Sequence, residues 1–196
     1  MEALLKLDTE IVLWLNQWAG RFAFLDAVEK LIVSDYFIPA SMGLCLMAMW
    51  FVGSDPQHRD AHQRAVLVAL ACVGFASLVV LIINQHYFRD RPFVDHQLTL
   101  LFYQPTDSSF PSHPAAVGFT MASSMWQANR RMGALLYGLA ALWGLSRIYT
   151  GVFYPSDVVA GALIGVVMSY LVALAFRLIE PIPTLALRGA RTLHLA

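Results

Sequence analysis

Charge is what this sequence has least of. Only 13% of its 196 residues are Asp, Glu, Lys or Arg, about half the share of an average soluble domain, too few to cover a water-facing surface. Its 13 basic residues are matched by 13 acidic ones, and no basic stripe exists along which a nucleic-acid backbone could lie. An apolar share of 58% excludes a disordered chain. The two cysteines, Cys45 and Cys72, lie inside apolar runs. They cannot staple a disulfide scaffold, read as small buried hydrophobes, and report no redox compartment. No internal repeat, low-complexity segment or glycine-rich nucleotide loop is visible. No His, Cys or acidic residues have metal-ligand spacing, so neither a metal nor another cofactor is expected.

What is there is long apolar runs. Tyr36 to Val52, Ala65 to Ile83, Pro114 to Ala128, Met132 to Leu145 and Val158 to Phe176 are almost uncharged. The longest match the roughly 20 residues a helix needs to cross about 30 Å of hydrocarbon. The fold class is therefore all-α, a polytopic membrane helical bundle of five to six transmembrane helices. Leu4, Leu5, Leu7, Ile11, Leu13, Trp14 and Trp18 approximate one helical stripe, with Lys6, Asp8, Glu10 and Gln17 on other faces. That pattern reads as an interfacial amphipathic helix rather than a cleavable signal peptide. Phe22 to Ser34, with Asp26, Glu29 and Lys30, is either a second amphipathic piece or the start of the first span. The organisation expected is 1–35 interfacial helices, 36–176 a transmembrane domain, and 177–196 a cytoplasmic tail.

Between the second and third runs lies a long polar stretch, Asn84 to Ser112, holding Arg89, Asp90, Arg91, Pro92, Asp95, Asp107, Ser108 and Ser109. The third run opens at Ser112, the fourth ends in Ser146 and Arg147, and the fifth starts after Asp157. Alternating spans bring all of these to one membrane face. The other face carries Arg59, Arg64, Arg130, Arg131, Arg177, Arg188 and Arg191. The polar face carries Lys6, Arg21, Lys30, Arg89, Arg91 and Arg147. With Arg89, Arg91 and Arg147 set aside as candidate functional residues, the positive-inside rule puts the polar cluster outside the cytoplasm, facing the periplasm or cell exterior.

Residue chemistry points to an anion site there. The guanidiniums of Arg91 and Arg147 each present a rigid fork suited to phosphate oxygens. Ser112 stands at an N-cap position, and helix N-termini bind anions. His113 offers an imidazole at the same helix start, able to act as nucleophile or general acid. Arg89, His86 and His96 read as ordinary interfacial residues. Phe88, Phe93, Phe102, Tyr103, Tyr149, Phe153 and Tyr154 read as an aromatic belt that would also suit a lipid chain entering sideways.

Three segments carry a resemblance: Arg91-Pro92; Phe110-Pro111-Ser112-His113; and Ser146-Arg147 with Asp157 ten residues on. Together they resemble the signature segments of the type 2 phosphatidic acid phosphatase family, over roughly residues 65 to 176. That family includes undecaprenyl-diphosphate, phosphatidylglycerophosphate and lipid A phosphatases. The resemblance implies that Arg91, Ser112, Ser146 and Arg147 bind phosphate, and that Asp157 orients an imidazole. It also implies a multi-pass protein of the plasma (inner) membrane with a phosphorylated lipid as substrate; oligomeric state is not indicated. The sequence departs from the family at three positions. Asn84 stands where the family has a lysine, Pro114 where the second segment has its histidine, and Phe153 where the nucleophilic histidine lies. His113, displaced by one place, is the available substitute, oriented by Asp157 and acting as nucleophile or as base for water. A diphosphate substrate is favoured, because its leaving phosphate has low basicity and needs an acid least. The alternative reading is a catalytically silent member that binds or moves a phosphorylated lipid.

Overall fold

The computed structural model describes residues 2–53 and 55–180. Among these, eight helices and no strand form: α1 (Glu2–Asn16), α2 (Ala23–Ile32), α3 (Phe37–Phe51), α4 (Pro56–His86), α5 (Pro92–Asp95), α6 (His113–Ala128), α7 (Arg130–Tyr149) and α8 (Pro155–Leu178). Their limits follow from local chemistry. Asp55 accepts the His58 N–H (2.9 Å) before Pro56 opens α4. Asn129 accepts the Met132 N–H (3.0 Å) at the start of α7. Ser112 accepts the Ala115 N–H (3.4 Å) at the start of α6.

Helix α6 is the axis of the bundle and packs against α4, α7 and α8. Its buried residues are mostly small: Ala115, Ala116, Gly118, Thr120, Ala122, Ser123 and Ser124. Small side chains let backbones approach where lipid supplies no hydrophobic drive between helices. On α8, Gly161 and Gly165 form the matching ridge. A Cβ at Gly161 would collide with the Ser112 carbonyl, and one at Gly165 with the Ala116 carbonyl. The Thr120 hydroxyl donates to the Gly165 carbonyl (3.3 Å). The larger core lies beside this spine. Ile38, Met42, Leu46 and Met49 form one ridge of α3 and meet Ala65, Val66 and Ala69 of α4, Ala122 and Met125 of α6, and Leu136, Ala140 and Trp143 of α7. Outward faces are apolar too: Leu70, Phe75, Leu78 and Leu81 on α4, and Leu163, Val167 and Leu171 on α8, are exposed. That is the pattern of helices solvated by lipid.

Helices α4 and α8 are each long and apolar enough to cross a membrane, and α2 with α3, bent by 51° at their break, makes a third if the pair is one span. The expected third and fourth runs are present as α6, of 16 residues, and α7, of 20. Helix α6 holds polar and small residues because it lies largely within protein, whereas α7 keeps an outward apolar face with Leu135, Leu142 and Leu145. The piece around 22–34 is α2, and it leads into α3 through a short break at 33–36. There the Phe37 N–H donates to Ser34 Oγ (3.0 Å). Helix α1 turns Leu5, Leu7, Leu13 and Trp14 outward, and Trp18 in the turn after it is exposed as well. What it buries is Asp8, Val12 and Asn16, the i, i+4, i+8 ridge. Asn16 Nδ2 donates to the carbonyls of Thr99 (3.0 Å) and Tyr149 (2.9 Å), and its Oδ1 accepts the Thr99 N–H (2.8 Å). The tail expected at 177–196 begins with the end of α8, and residues 181–196 lie outside the described residues. Cys45 and Cys72 are free thiols, the second buried.

Candidate active site

The polar cluster assembles at one end of the bundle, and its frame is three arginines. Arg89 and Arg91 lie on the segment that leaves α4. That segment is held by Arg89 N–H to Ser108 Oγ (3.1 Å) and Ser109 N–H to the Arg89 carbonyl (3.0 Å). Arg147 sits in the last turn of α7. Gly151, at φ +72°, then turns the chain toward α8. Asp157 lies in the first turn of α8, where its Oδ2 accepts the Tyr154 N–H (2.9 Å) and its carbonyl accepts the Ser112 N–H (3.0 Å). The starts of α6 and α8 are thereby tied together.

Each arginine has at least one aromatic platform and at least one carboxylate. Arg91 lies over the Phe153 ring (4.4 Å) and donates to Asp107 Oδ1 (2.8 Å) and to the carbonyls of Asp107 (3.0 Å), Val152 (3.1 Å) and Ser108 (3.3 Å). Arg147 lies over Phe102 (4.3 Å) and bonds Asp35 Oδ1 (2.5 Å), while its buried Nε has no partner. Asp35 comes from the α2–α3 break, and its Oδ2 accepts the Tyr103 hydroxyl (3.1 Å). Burial and the Asp35 carboxylate push the Tyr103 pKa up. Arg89 lies over Tyr154 (4.2 Å) and donates to Asp157 Oδ1 (2.6 Å), Ser156 Oγ (2.8 Å) and Asp8 Oδ2 (3.0 Å). Asp8 also accepts the Ser156 N–H (3.0 Å) and the Ser156 hydroxyl. Burial works against the charge on Arg89, but Asp157 and Asp8 outweigh it and hold the guanidinium above its ordinary pKa.

The structure gathers Arg91, Ser112, Ser146, Arg147 and Asp157 at this end and buries all five. Several details differ from the sequence expectation. His113 is not oriented by Asp157: its Nε2 bonds Ser77 Oγ of α4 (2.9 Å), and both Asp157 oxygens are engaged by Arg89 and the Tyr154 N–H. The Ser146 hydroxyl donates to the Trp143 carbonyl (2.8 Å), as serines in helices often do. Phe153 and Tyr154 are not belt residues facing lipid, because the two arginines draw their rings inward; Phe153 is 4% exposed. Asn84 has a buried Oδ1 with no partner. Among the described residues no cluster of three or more metal-ligating side chains forms.

Asp8, Asp35 and Asp107 have no role in the sequence reading, and Arg89, set aside there as a candidate on charge placement, has no specific one. Arg89 had one available signal, its place two residues before Arg91 on the same polar stretch. The three acids have no local signal, since their partners come from other segments. A cavity of about 280 Å³ opens beside Arg91, lined in part by Phe88, Phe93, Gln104 and Asp107. What the arrangement offers chemically is two forked cations, a helix start and a buried carboxylate next to an apolar surface. That combination suits the phosphate end of an amphiphile.

Comparison with known proteins gives the same picture. Residues 65–180 match the family model of the PAP2 superfamily. The undecaprenyl-diphosphatase BcrC of Bacillus subtilis is 30% identical over 165 residues, covering 84% of this chain and 81% of that protein. YbjG of Escherichia coli is 36% identical over 54% of each chain. Among solved structures, Aquifex aeolicus LpxE superposes with a TM-score of 0.65 at 25% identity, over 84% of this chain and 93% of that one.

Proposed function

Because the chain belongs to the PAP2 superfamily, we propose that it is an integral membrane phosphatase hydrolysing a lipid or isoprenoid phosphate or diphosphate, undecaprenyl diphosphate being the first candidate. One observation carries this: Arg91, Arg147, the Ser112 helix start and Asp157 converge at one end of a lipid-solvated bundle. In this reading Arg91 and Arg147 take the phosphoryl oxygens and stabilise the charge that builds on them in the transition state. The α6 N-terminus adds its dipole. No metal takes part. The site faces away from the cytoplasm in the inner membrane, as the distribution of arginines supports. A diphosphate is preferred, because its leaving group is a weak base and needs no strong acid.

A second reading has its own observation. The Phe153 ring lies under Arg91 where the family places an attacking imidazole, and His113 is bonded to Ser77 rather than to Asp157. A phenyl ring cannot attack phosphorus, so binding of a phosphorylated lipid without turnover is the competing function. Phosphate release from undecaprenyl diphosphate by the purified chain separates the two. Release that falls in Arg147→Ala supports hydrolysis. Saturable binding with release no greater than that of Arg147→Ala supports the silent binder.

A further inference from the structure

Hydrolysis at this site needs an attacking group, and Ser77, a serine outside the signature segments, pairs with the imidazole of the second segment. Ser77 lies in the apolar stretch of α4, half-buried next to the fully buried Ala76. His113, the first residue of α6, brings Nε2 to 2.9 Å from Ser77 Oγ. With the ring proton on Nδ1, Nε2 accepts the hydroxyl proton, which is the geometry of an activated serine. The pair lies at the site end of the bundle: His113 follows Ser112, the N-cap of α6, whose N–H donates to the Asp157 carbonyl (3.0 Å). The imidazole is also free of Asp157, whose oxygens are engaged elsewhere.

We propose that Ser77 is the nucleophile of this protein and His113 its general base, taking the place of the imidazole that Phe153 removes. The proposal rests on the phosphatase reading. In the first step Ser77 Oγ bonds to the terminal phosphorus of a diphosphate, and the hydroxyl proton passes to His113 Nε2. The bond from that phosphorus to the bridging oxygen breaks, and the lipid monophosphate leaves with the electron pair. After His113 gives its proton to water, a second water attacks the phosphoserine and loses a proton to His113. The Oγ–P bond breaks, inorganic phosphate leaves, and His113 returns the proton to Ser77.

The test uses the full chain in detergent with farnesyl diphosphate labelled in its terminal phosphate, quenched in acid and digested. The expected result is acid-stable phosphoserine on the peptide containing Ser77. Phosphate release should drop at least about 100-fold in Ser77→Ala and in His113→Gln. Ser77→Ala should keep its thermal transition and its affinity for inorganic phosphate, separating lost chemistry from lost fold. Phosphate release by Ser77→Ala at the unaltered rate, or an acid-labile label on His113, would overturn the assignment and leave the phosphatase reading standing. No release from the unaltered chain would overturn both.

Discussion

Arg89 and Arg147 stand at the same end of the bundle, each stacked on a ring and bonded to acid, yet they are held in opposite ways. The carboxylates of Arg89 are interior: the side chains of Asp157 and Asp8 are 0% and 4% exposed. Those of Arg147 and its neighbour Arg91 reach water, with Asp35 at 41% and Asp107 at 67%. An ion pair with one solvated partner exchanges more readily, because the exposed carboxylate regains water as it lets go. A buried pair that loses one member leaves an unsolvated charge behind. The contrast sorts the arginines by task. Arg89 braces α1, the segment after α4, and α8 into one unit, while the counter-ions of Arg91 and Arg147 are exposed enough to give way to the phosphate that the proposed function places there.

The sharpest way to break this division is Arg89→Ala. It strands Asp8 and Asp157, and the expected loss is about 3–5 kcal/mol of stability, read as thermal unfolding in detergent. A smaller loss than that of Arg147→Ala would erase the distinction. Next comes Arg147→Ala itself, for which phosphate release should fall about 10²–10³-fold while the unfolding transition moves less than in Arg89→Ala. Asp35→Asn should act in the other direction. Removing an exchangeable competitor raises affinity for inorganic phosphate several-fold, measurable by calorimetry; unchanged affinity would mean that Asp35 does not compete with the anion. The smallest effect belongs to the far end of the bundle. Asn129→Ala removes the N-cap of α7 and should cost about 1 kcal/mol, with phosphate release unchanged.

The same division marks how far the sequence could be read. Long uncharged runs announced helices in lipid, because hydropathy is a local property. Arg91, Ser112, Arg147 and Asp157 were legible through their spacing within short segments. Asp8 and Asp35 were not, since nothing near them in the chain says that one meets Arg89 and the other Arg147. The amphipathic stripe of α1 was visible, but its inward ridge of Asp8, Val12 and Asn16 looked like the solvent side until its partners were in place. Phe153 and Tyr154 misled for a related reason: an aromatic residue at an interface faces lipid by default, and only a guanidinium brought from a distant segment turns it inward. The Ser77–His113 pair spans two helices and lay beyond any periodicity argument.

The Gly161 and Gly165 ridge has a bearing on which substitutions such a protein tolerates. The register between α6 and α8 is set by glycine against carbonyl, at the Ser112 and Ala116 oxygens, and none of that contact involves an imidazole. Phe153 and Pro114, where the resemblance implies histidines, therefore stand outside the contact that sets the spine of the molecule. Helix register and side-chain chemistry draw here on different residues, so substitutions at 113 or 153 are expected to leave the α6–α8 packing in place.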